Sequence, residues 1–395
     1  MNINLTLKNN LCASCGMCVS NCTRNAIYME YSKKEGIYLP QIDKEKCTNC
    51  GLCYLRCPMN KNEKQNTVLG KYTMLCLAHS LDYNVRNDST SGGVINTLVR
   101  FLIEKEYVDC VLMTSYNKGN IIETDSIEIT KENLYEICEN PRNYASRYVV
   151  NPILSHYKEC KNKYKKLALV GTPCQIRALG LSKEENVFKI GITCSAGQRY
   201  IATEEVKRKK GFTNSAIFYR GDGWPGNNSL IQDKTKKSEK HTGSLFECMF
   251  SSQIFKNSAC DKCYDHFAEE SDISFCDFWS QDEMKNEKVG NSCVIARTDK
   301  ASDIIKQMRE EGYIDIVKEL IAKEVIETQK SVLIAKKTEI RNSSKYKIYK
   351  KIIKLIFNTK IYRLFNKRVY RKLGSIYRKI INSNINEIEV MYKDL

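Results

Sequence analysis

The sequence predicts an α+β protein in three parts: a cysteine-rich domain over 1–62, a mixed α/β module over 70–330, and a helical, basic tail over 331–395. Three observations predict it. Within the first sixty residues, eight cysteines stand in two copies of one spacing. Between about 70 and 330, apolar runs of strand length alternate with patterns of helical period. From Ile340 to Asn386 there is no Asp or Glu, but there are 14 Lys and Arg.

The first part holds "CASCGMCVSNC" (Cys12, Cys15, Cys18, Cys22) and "CTNCGLCYLRCP" (Cys47, Cys50, Cys53, Cys57). Both read C-x2-C-x2-C-x3-C, the bacterial two-cluster ferredoxin pattern. Three thiolates wrap one cluster, and the fourth cysteine, one helical turn further on, ligates the other. Cys12, Cys15, Cys18 and Cys57 are therefore expected to hold one [4Fe-4S] centre. Cys47, Cys50, Cys53 and Cys22 are expected to hold the second. Gly16 and Gly51 are expected where the backbone passes close to sulfide. Thr23 replaces the proline usual after the fourth cysteine. Zinc knuckles, the alternative, use two CxxC pairs split by a longer loop.

Nineteen cysteines in 395 residues, with only four histidines, point to thiolate-held metal rather than disulfides or a histidine-rich site. The opening "MNINLTLKNN" lacks the basic and apolar regions of a signal peptide. No apolar run approaches the roughly 18 residues of a membrane span. A cytoplasmic protein is expected. Of the net charge of +17, the 340–386 stretch carries 14, which leaves the body nearly neutral. With no reading motif beside the charge, no nucleic-acid partner is expected.

Lys61 to Thr67 reads as a polar linker. Strands are expected at Leu75–Ser80, Val108–Met113, Leu167–Val170 and Lys189–Thr193. Ser89, Thr90 and Ser91 read as capping residues, and Gly92 and Gly93 allow close backbone approach. Val94, Leu98 and Leu102, with Ile95, Val99 and Ile103, then recur at helical spacing. Such a loop can offer N–H groups to an anion, or be an ordinary helix start. In "LVGTPCQIRALG" a Gly-Thr-Pro turn sets Cys174 at a helix N-terminus, with Gly180 as the expected stop. Cys174 can be a nucleophile, a metal ligand or a packed thiol. Cys194 ends a strand, and "CDKC" supplies Cys260 and Cys263.

From about Cys76 to Ala301 the chain resembles the beta subunits of coenzyme F420 hydrogenases and dehydrogenases. The runs that carry the resemblance include "RNDSTSGG", "ASRYVV", "GTPCQIRAL", "ITCSAG", "YRGDGWPG", "CDKC" and "SDISFCDFW". The resemblance implies a flavin-binding module with two halves, about 70–155 and 156–330. It implies FAD held near Ser89, Thr90, Ser91, Gly92, Gly93, Ser146, Arg147 and Tyr148. It also implies a third [4Fe-4S] cluster, for which Cys174, Cys194, Cys260 and Cys263 are the available ligands. The other seven cysteines (Cys76, Cys110, Cys138, Cys160, Cys248, Cys276 and Cys293) read as packed thiols. Arg147, Val150, Asn151, Ser195 and Ser280 depart from the family's usual residues, which bears on substrate more than on fold.

The function expected is an iron–sulfur flavoprotein oxidoreductase. It would pass electrons between the clusters and, through FAD, a small two-electron acceptor or donor, deazaflavin F420 or another organic molecule. A ferredoxin or another oxidoreductase component would be its redox partner protein. The rival is a non-catalytic electron-transfer component that feeds a partner enzyme. No protein acid or base is assigned, although Tyr148 and Asp277 lie in suggestive motifs. Over 345–380, Ile348, Ile352, Ile356, Ile361, Phe365, Val369, Leu373, Ile376 and Ile380 recur among Lys and Arg, with breaks expected at Asn358 and Gly374. That helix either packs on the body or lies peripherally on the inner face of an anionic membrane.

Overall fold

The computed structural model describes residues 1–61, 67–184, 186–232 and 235–391. Residues 62–66 of the expected linker and 392–395 of the tail lie outside the described residues. The strands run β1 (Ile27–Ser32), β2 (Ile37–Ile42), β3 (Met74–Ser80), β4 (Cys110–Tyr116), β5 (Thr124–Ile129), β6 (Leu167–Gly171), β7 (Val187–Ile192), β8 (Ala216–Phe218), β9 (Asn227–Gln232), β10 (Thr235–Lys240), β11 (Ile273–Asp277), β12 (Ser292–Ala296) and β13 (Ile314–Glu319).

Eight strands form one sheet in the order β13-β3-β12-β11-β7-β6-β4-β5. Its middle, β4-β6-β7-β11, is parallel. Antiparallel pairs close both sides. Both halves of the 70–330 region thus supply strands to a single sheet. The parallel middle is largely buried on both faces, so its strands are mostly apolar, most fully in "LALVG". Alternation in β3 shows the two layers. Cys76 and Ala78 face the helices Val94–Glu104 and Asp299–Glu310 through Leu98, Leu102, Ile304 and Ile305. Leu75 and Leu77 face the helix Ala322–Lys337 through Val325, Ile326, Leu333 and Ile334. Each such aliphatic side chain contributes about 1.5–3 kcal/mol by leaving water.

The cysteine-rich part carries the hairpin β1–β2 and two one-turn helices, Met17–Ser20 and Leu52–Leu55, each begun by a left-handed glycine, Gly16 (φ 90°) and Gly51 (φ 85°). At Gly16 the close protein neighbour is the main module. A Cβ there would stand 2.5 Å from the Pro152 carbonyl oxygen and 2.6 Å from the Ser155 nitrogen. The Leu154 N–H donates to the Cys15 carbonyl (3.1 Å), and the Asn257 side-chain amide donates to the Cys12 carbonyl (3.1 Å). These contacts seat the small part on the sheet module.

The tail packs on the body by tyrosines together with part of the expected stripe: Ile356, Phe365, Leu373 and Ile380 pack against the cluster that holds Tyr349, Tyr362 and Tyr370. In the helix Ser344–Asn358 the buried side chains are Tyr346, Tyr349 and Ile353, while Ile348 and Ile352 are exposed. Tyrosine supplies the seam because its hydroxyl finds a partner: Tyr349 donates to the carbonyls of Ser252 and Leu373. This helix does end at Asn358. The next, Lys367–Asn382, runs unbroken through Gly374, whose missing side chain admits Ser251 of the helix Leu245–Ser251.

Gly16→Ala is expected to cost at least about 1–3 kcal/mol, from its positive φ alone, and the clash with Pro152 adds to it. Thermal unfolding checks this; an unchanged midpoint would show that the two parts are not seated by this contact.

Candidate functional site

Three groups of four cysteines lie in a file. Cys22, Cys47, Cys50 and Cys53 line one small cleft at the surface, where Cys50 is exposed. The Ala26 N–H donates to the Cys22 sulfur at 3.2 Å. Next come Cys12, Cys15, Cys18 and Cys57. Cys18 stands within charge range of Cys12, Cys57 and Cys53, and so links this group to the first. Burial, with Cys57 nearby, pushes the Cys12 thiol up to about 12, against a hydrogen bond from the Ser14 N–H. Burial likewise holds Cys15 and Cys18 well above the usual thiol range.

The third group is Cys174, Cys194, Cys260 and Cys263. Cys174 begins the helix Pro173–Leu181 behind a Thr172–Gln175 capping box; this helix passes the expected stop at Gly180 by one residue. Cys194 follows β7, and its N–H donates to the His266 carbonyl at 3.0 Å. The Gly197 N–H donates to the Cys260 sulfur at 3.3 Å. Burial raises the Cys174 pKa well above the usual thiol range, and Cys15, the next cause, raises it further, ahead of Cys194 and Cys263. Cys174 therefore joins the second group to the third. A thiol so disfavoured as an anion is a poor nucleophile, whereas coordination to iron deprotonates it outright.

Lys336 sits against this third group. It is 2% exposed, and its ammonium donates to the Asp265 carbonyl (2.5 Å) and to the Cys263 sulfur (3.6 Å). It makes no ion pair among the described residues. Its neighbour Lys337 does, with Glu269. Burying a lone ammonium costs several kcal/mol unless negative charge lies close. The Asp265 carboxylate supplies part of that charge, and iron-bound thiolates would add to it where neutral thiols would not. The donor set and its counter-charge fit an anionic iron–sulfur cluster. Among the described residues no three His, Cys, Asp or Glu side chains converge on a single ion, and a cluster needs its four sulfurs spread around a larger body.

A cavity of about 560 Å³ adjoins the third group, with Cys194 in its wall. Ser89, Thr90, Ser91 and Gly93 line it at the start of the helix Val94–Glu104, and Ser146, Arg147 and Tyr148 line it from another loop. Gly92 is not in the lining. A Cβ on it would meet the Ser292 nitrogen at 2.6 Å and the Ala78 oxygen at 2.7 Å, so it packs behind the wall. Gly93, in the left-handed region, caps the helix in place of the expected hydroxyl residues. Their side chains tie the wall together: Ser91 donates to the Asn291 carbonyl (2.6 Å) and Thr90 accepts from the Ser146 N–H (2.8 Å). Arg147 turns its guanidinium away, onto the rings of Tyr116, Phe218 and Tyr219.

Much of the remaining lining is aromatic. Tyr148, itself at φ 59°, meets the rings of Tyr219, Phe246 and Phe250. Trp279 lies under the guanidinium of Arg220. Arg220, 1% exposed in its side chain, pairs with Asp277 at 3.2 Å and donates to the Thr90 carbonyl at 2.8 Å, while Trp224 donates to Asp277 at 3.1 Å. Asp277 is thus held as an ion-pair partner. The Tyr148 hydroxyl also interacts with the Arg220 guanidinium, whose Nε is buried and has no acceptor among the described residues. Phe246, Phe250 and Arg220 escaped the sequence reading. "YRGDGWPG" was the only signal for Arg220, and "LFECMF" reads as any buried helix.

Successive cysteine groups, a docked dicluster part and a cavity at the C-terminal ends of the parallel strands define an iron–sulfur electron-transfer protein. Residues 11–61 match the family described as "4Fe-4S dicluster domain", and 164–320 match the family of the C-terminal part of the "Coenzyme F420 hydrogenase/dehydrogenase, beta subunit". The chain is a relative of that beta-subunit family, with the dicluster domain in front. It is 21% identical to the coenzyme F420 hydrogenase subunit beta of Methanococcus voltae, over 62% of this chain and 84% of that one. It is 22% identical to the protein of the same name from Methanothermobacter thermautotrophicus, over 63% of this chain and 85% of the relative. An uncharacterized protein of Methanocaldococcus jannaschii is 25% identical over 66% of this chain and 92% of its own length. Among solved structures, a chain of the F420-reducing [NiFe] hydrogenase complex from Methanosarcina barkeri shares the fold, with a TM-score of 0.52, 16% identity, and coverage of 70% of this chain and 93% of that one.

Arg220→Met would leave the Asp277 carboxylate without its cation in a buried wall. A loss of about 3–5 kcal/mol is expected, read by denaturant unfolding, with Arg220→Lys recovering part of it. Stability equal to the parent would show that the pair is not buried in solution.

Proposed function

We propose that this protein is an oxidoreductase that moves single electrons along its three cysteine groups to FAD in the cavity, where a small organic acceptor or donor exchanges an electron pair. The observation that carries the reading is the unbroken file: Cys53 beside Cys18, Cys15 beside Cys174, and Cys194 in the cavity wall. Iron–sulfur clusters, when bound, supply one-electron carriers, and the flavin supplies the exchange between one- and two-electron chemistry. Cys174, Cys194, Cys260 and Cys263 would hold the third cluster. The start of the helix Val94–Glu104 would meet the flavin's phosphates with its free N–H groups, and the Tyr148, Phe246, Phe250 and Trp279 rings would exclude water from the rest.

Each residue of the file has a separate task in this reading. Lys336 balances the charge of the third group. The Gly197 and Ala26 N–H groups bond to ligand sulfurs and orient them. The exposed rim at Cys47 and Cys50 is where a redox partner protein reaches the file. The departures at Ser195 and Ser280 leave the organic substrate open, F420 or another. The names of the relatives favour a component of a larger assembly no less than a free-standing enzyme.

Anaerobic reconstitution tests this. Cys174→Ala is expected to lose about a third of the iron, keeping the dicluster signals in EPR. Lys336→Met is expected to keep the iron and lower the midpoint potential of one cluster only, because a buried positive charge favours the more reduced, more negative state. Full iron content in Cys174→Ala would remove the third cluster from the account, and an unaltered potential in Lys336→Met would remove the counter-charge.

A further inference from the structure

The tail buries one face against the body and leaves another unused. On the 15-residue helix Ser344–Asn358, Tyr346, Tyr349 and Ile353 face inward. Ile348, Ile352 and Leu355 stand 58%, 47% and 63% exposed. Spaced i, i+4, i+7, they form one line along the helix. Lys347, Lys351 and Lys354, with the same spacing, form a second exposed line beside it. Lys350, toward the body, pairs with Asp261 at 2.9 Å, whereas none of the three outer lysines makes an ion pair among the described residues. Directly after the helix, Leu364 is 84% exposed and Ile361 46% exposed.

The neighbouring helix repeats the arrangement. Lys367–Asn382 buries Tyr370, Gly374 and Ile381 and exposes Arg368, Arg371, Lys372 and Lys379. Both helices fall in the acid-free 340–386 stretch and pack on each other through Tyr349 and Tyr377. Neither lies in the region that matches the family. Aliphatic side chains held in water cost free energy, and evenly spaced lysines beside them do not make a protein-binding seam. An anionic bilayer satisfies both lines: lysines meet lipid phosphates, and the aliphatic row enters the acyl boundary.

We infer that the outer face of these two helices is a docking surface for an anionic phospholipid bilayer. Docking would hold the redox module against the membrane with its cavity close by. Gly374 packs on Ser251, and the helix that carries Ser251 also places Phe246 and Phe250 in the cavity wall. At 3.6 residues per turn, Arg368, Lys372 and Lys379 of Lys367–Asn382 lie on the side away from Gly374, so this helix would stand between the bilayer and that wall.

The test is sedimentation of the full chain with phosphatidylglycerol–phosphatidylcholine vesicles and with phosphatidylcholine alone. Binding is expected only to the first, and to weaken with salt. At about 1 kcal/mol per basic residue, Lys347→Gln, Lys351→Gln and Lys354→Gln together should weaken it about a hundredfold. Ile352→Asn with Leu355→Asn should weaken it at every salt concentration, at unchanged net charge. These positions are exposed, so the variants should melt with the parent. Equal binding to neutral vesicles, no loss in the aliphatic variant, or displacement from vesicles by equimolar duplex DNA would each overturn the inference.

Discussion

The close backbone approach of Gly16 to Pro152 and Ser155 is the contact on which the rest depends. A dicluster domain on a flexible tether would visit its partner only part of the time. Here the Cys15 and Cys12 carbonyls are bonded into the body, which holds Cys15 within charge range of Cys174. Single-electron transfer falls off steeply with distance, and a fixed, short gap is what a relay requires. The glycine exists for that gap: with its left-handed φ and no room for a Cβ, no other residue fits without strain.

Charge is the second constraint. Cysteine sulfurs drawn out of water are stable as anions only if their charge is balanced. N–H groups from Ala26 and Gly197 and the buried ammonium of Lys336 do this locally. At the cavity the balance is set differently. Arg220 is neutralised by Asp277, so the wall offers directed donors without a large net charge, and aromatic rings provide the rest of the surface. The protein thus separates a layer of cysteine sulfurs and charge from a ligand-sized cavity, with Cys194 at their boundary.

Local features were legible in the sequence; long-range ones were not. The duplicated cysteine spacing is a local pattern, and the two groups it proposes are the two the fold assembles. Strands β3, β4, β6 and β7 and the helix after Gly93 also announced themselves by apolar runs and period, with ends shifted by up to three residues. Sheet order did not, because β13 and β12 flank β3 from more than 200 residues away. Lys336 was invisible for the same reason: nothing in "SVLIAKK" marks one lysine as buried. Gly92 was read by its neighbours as a ligand contact, when its constraint is Ser292 packed behind it. In the tail, Ile356, Phe365, Leu373 and Ile380 were legible as packing residues, but counting only non-tyrosine apolar residues hid the tyrosine seam that packs beside them.

The most direct measurement is a reductive EPR titration of the full chain, purified without oxygen. If the cysteine file is a relay, three clusters' worth of spin should appear, and the signals should broaden through magnetic coupling as neighbouring clusters become paramagnetic together. Two clusters only, or three whose signals ignore one another, would contradict the account, because the seating at Gly16 would then not be joining the dicluster domain to the cavity.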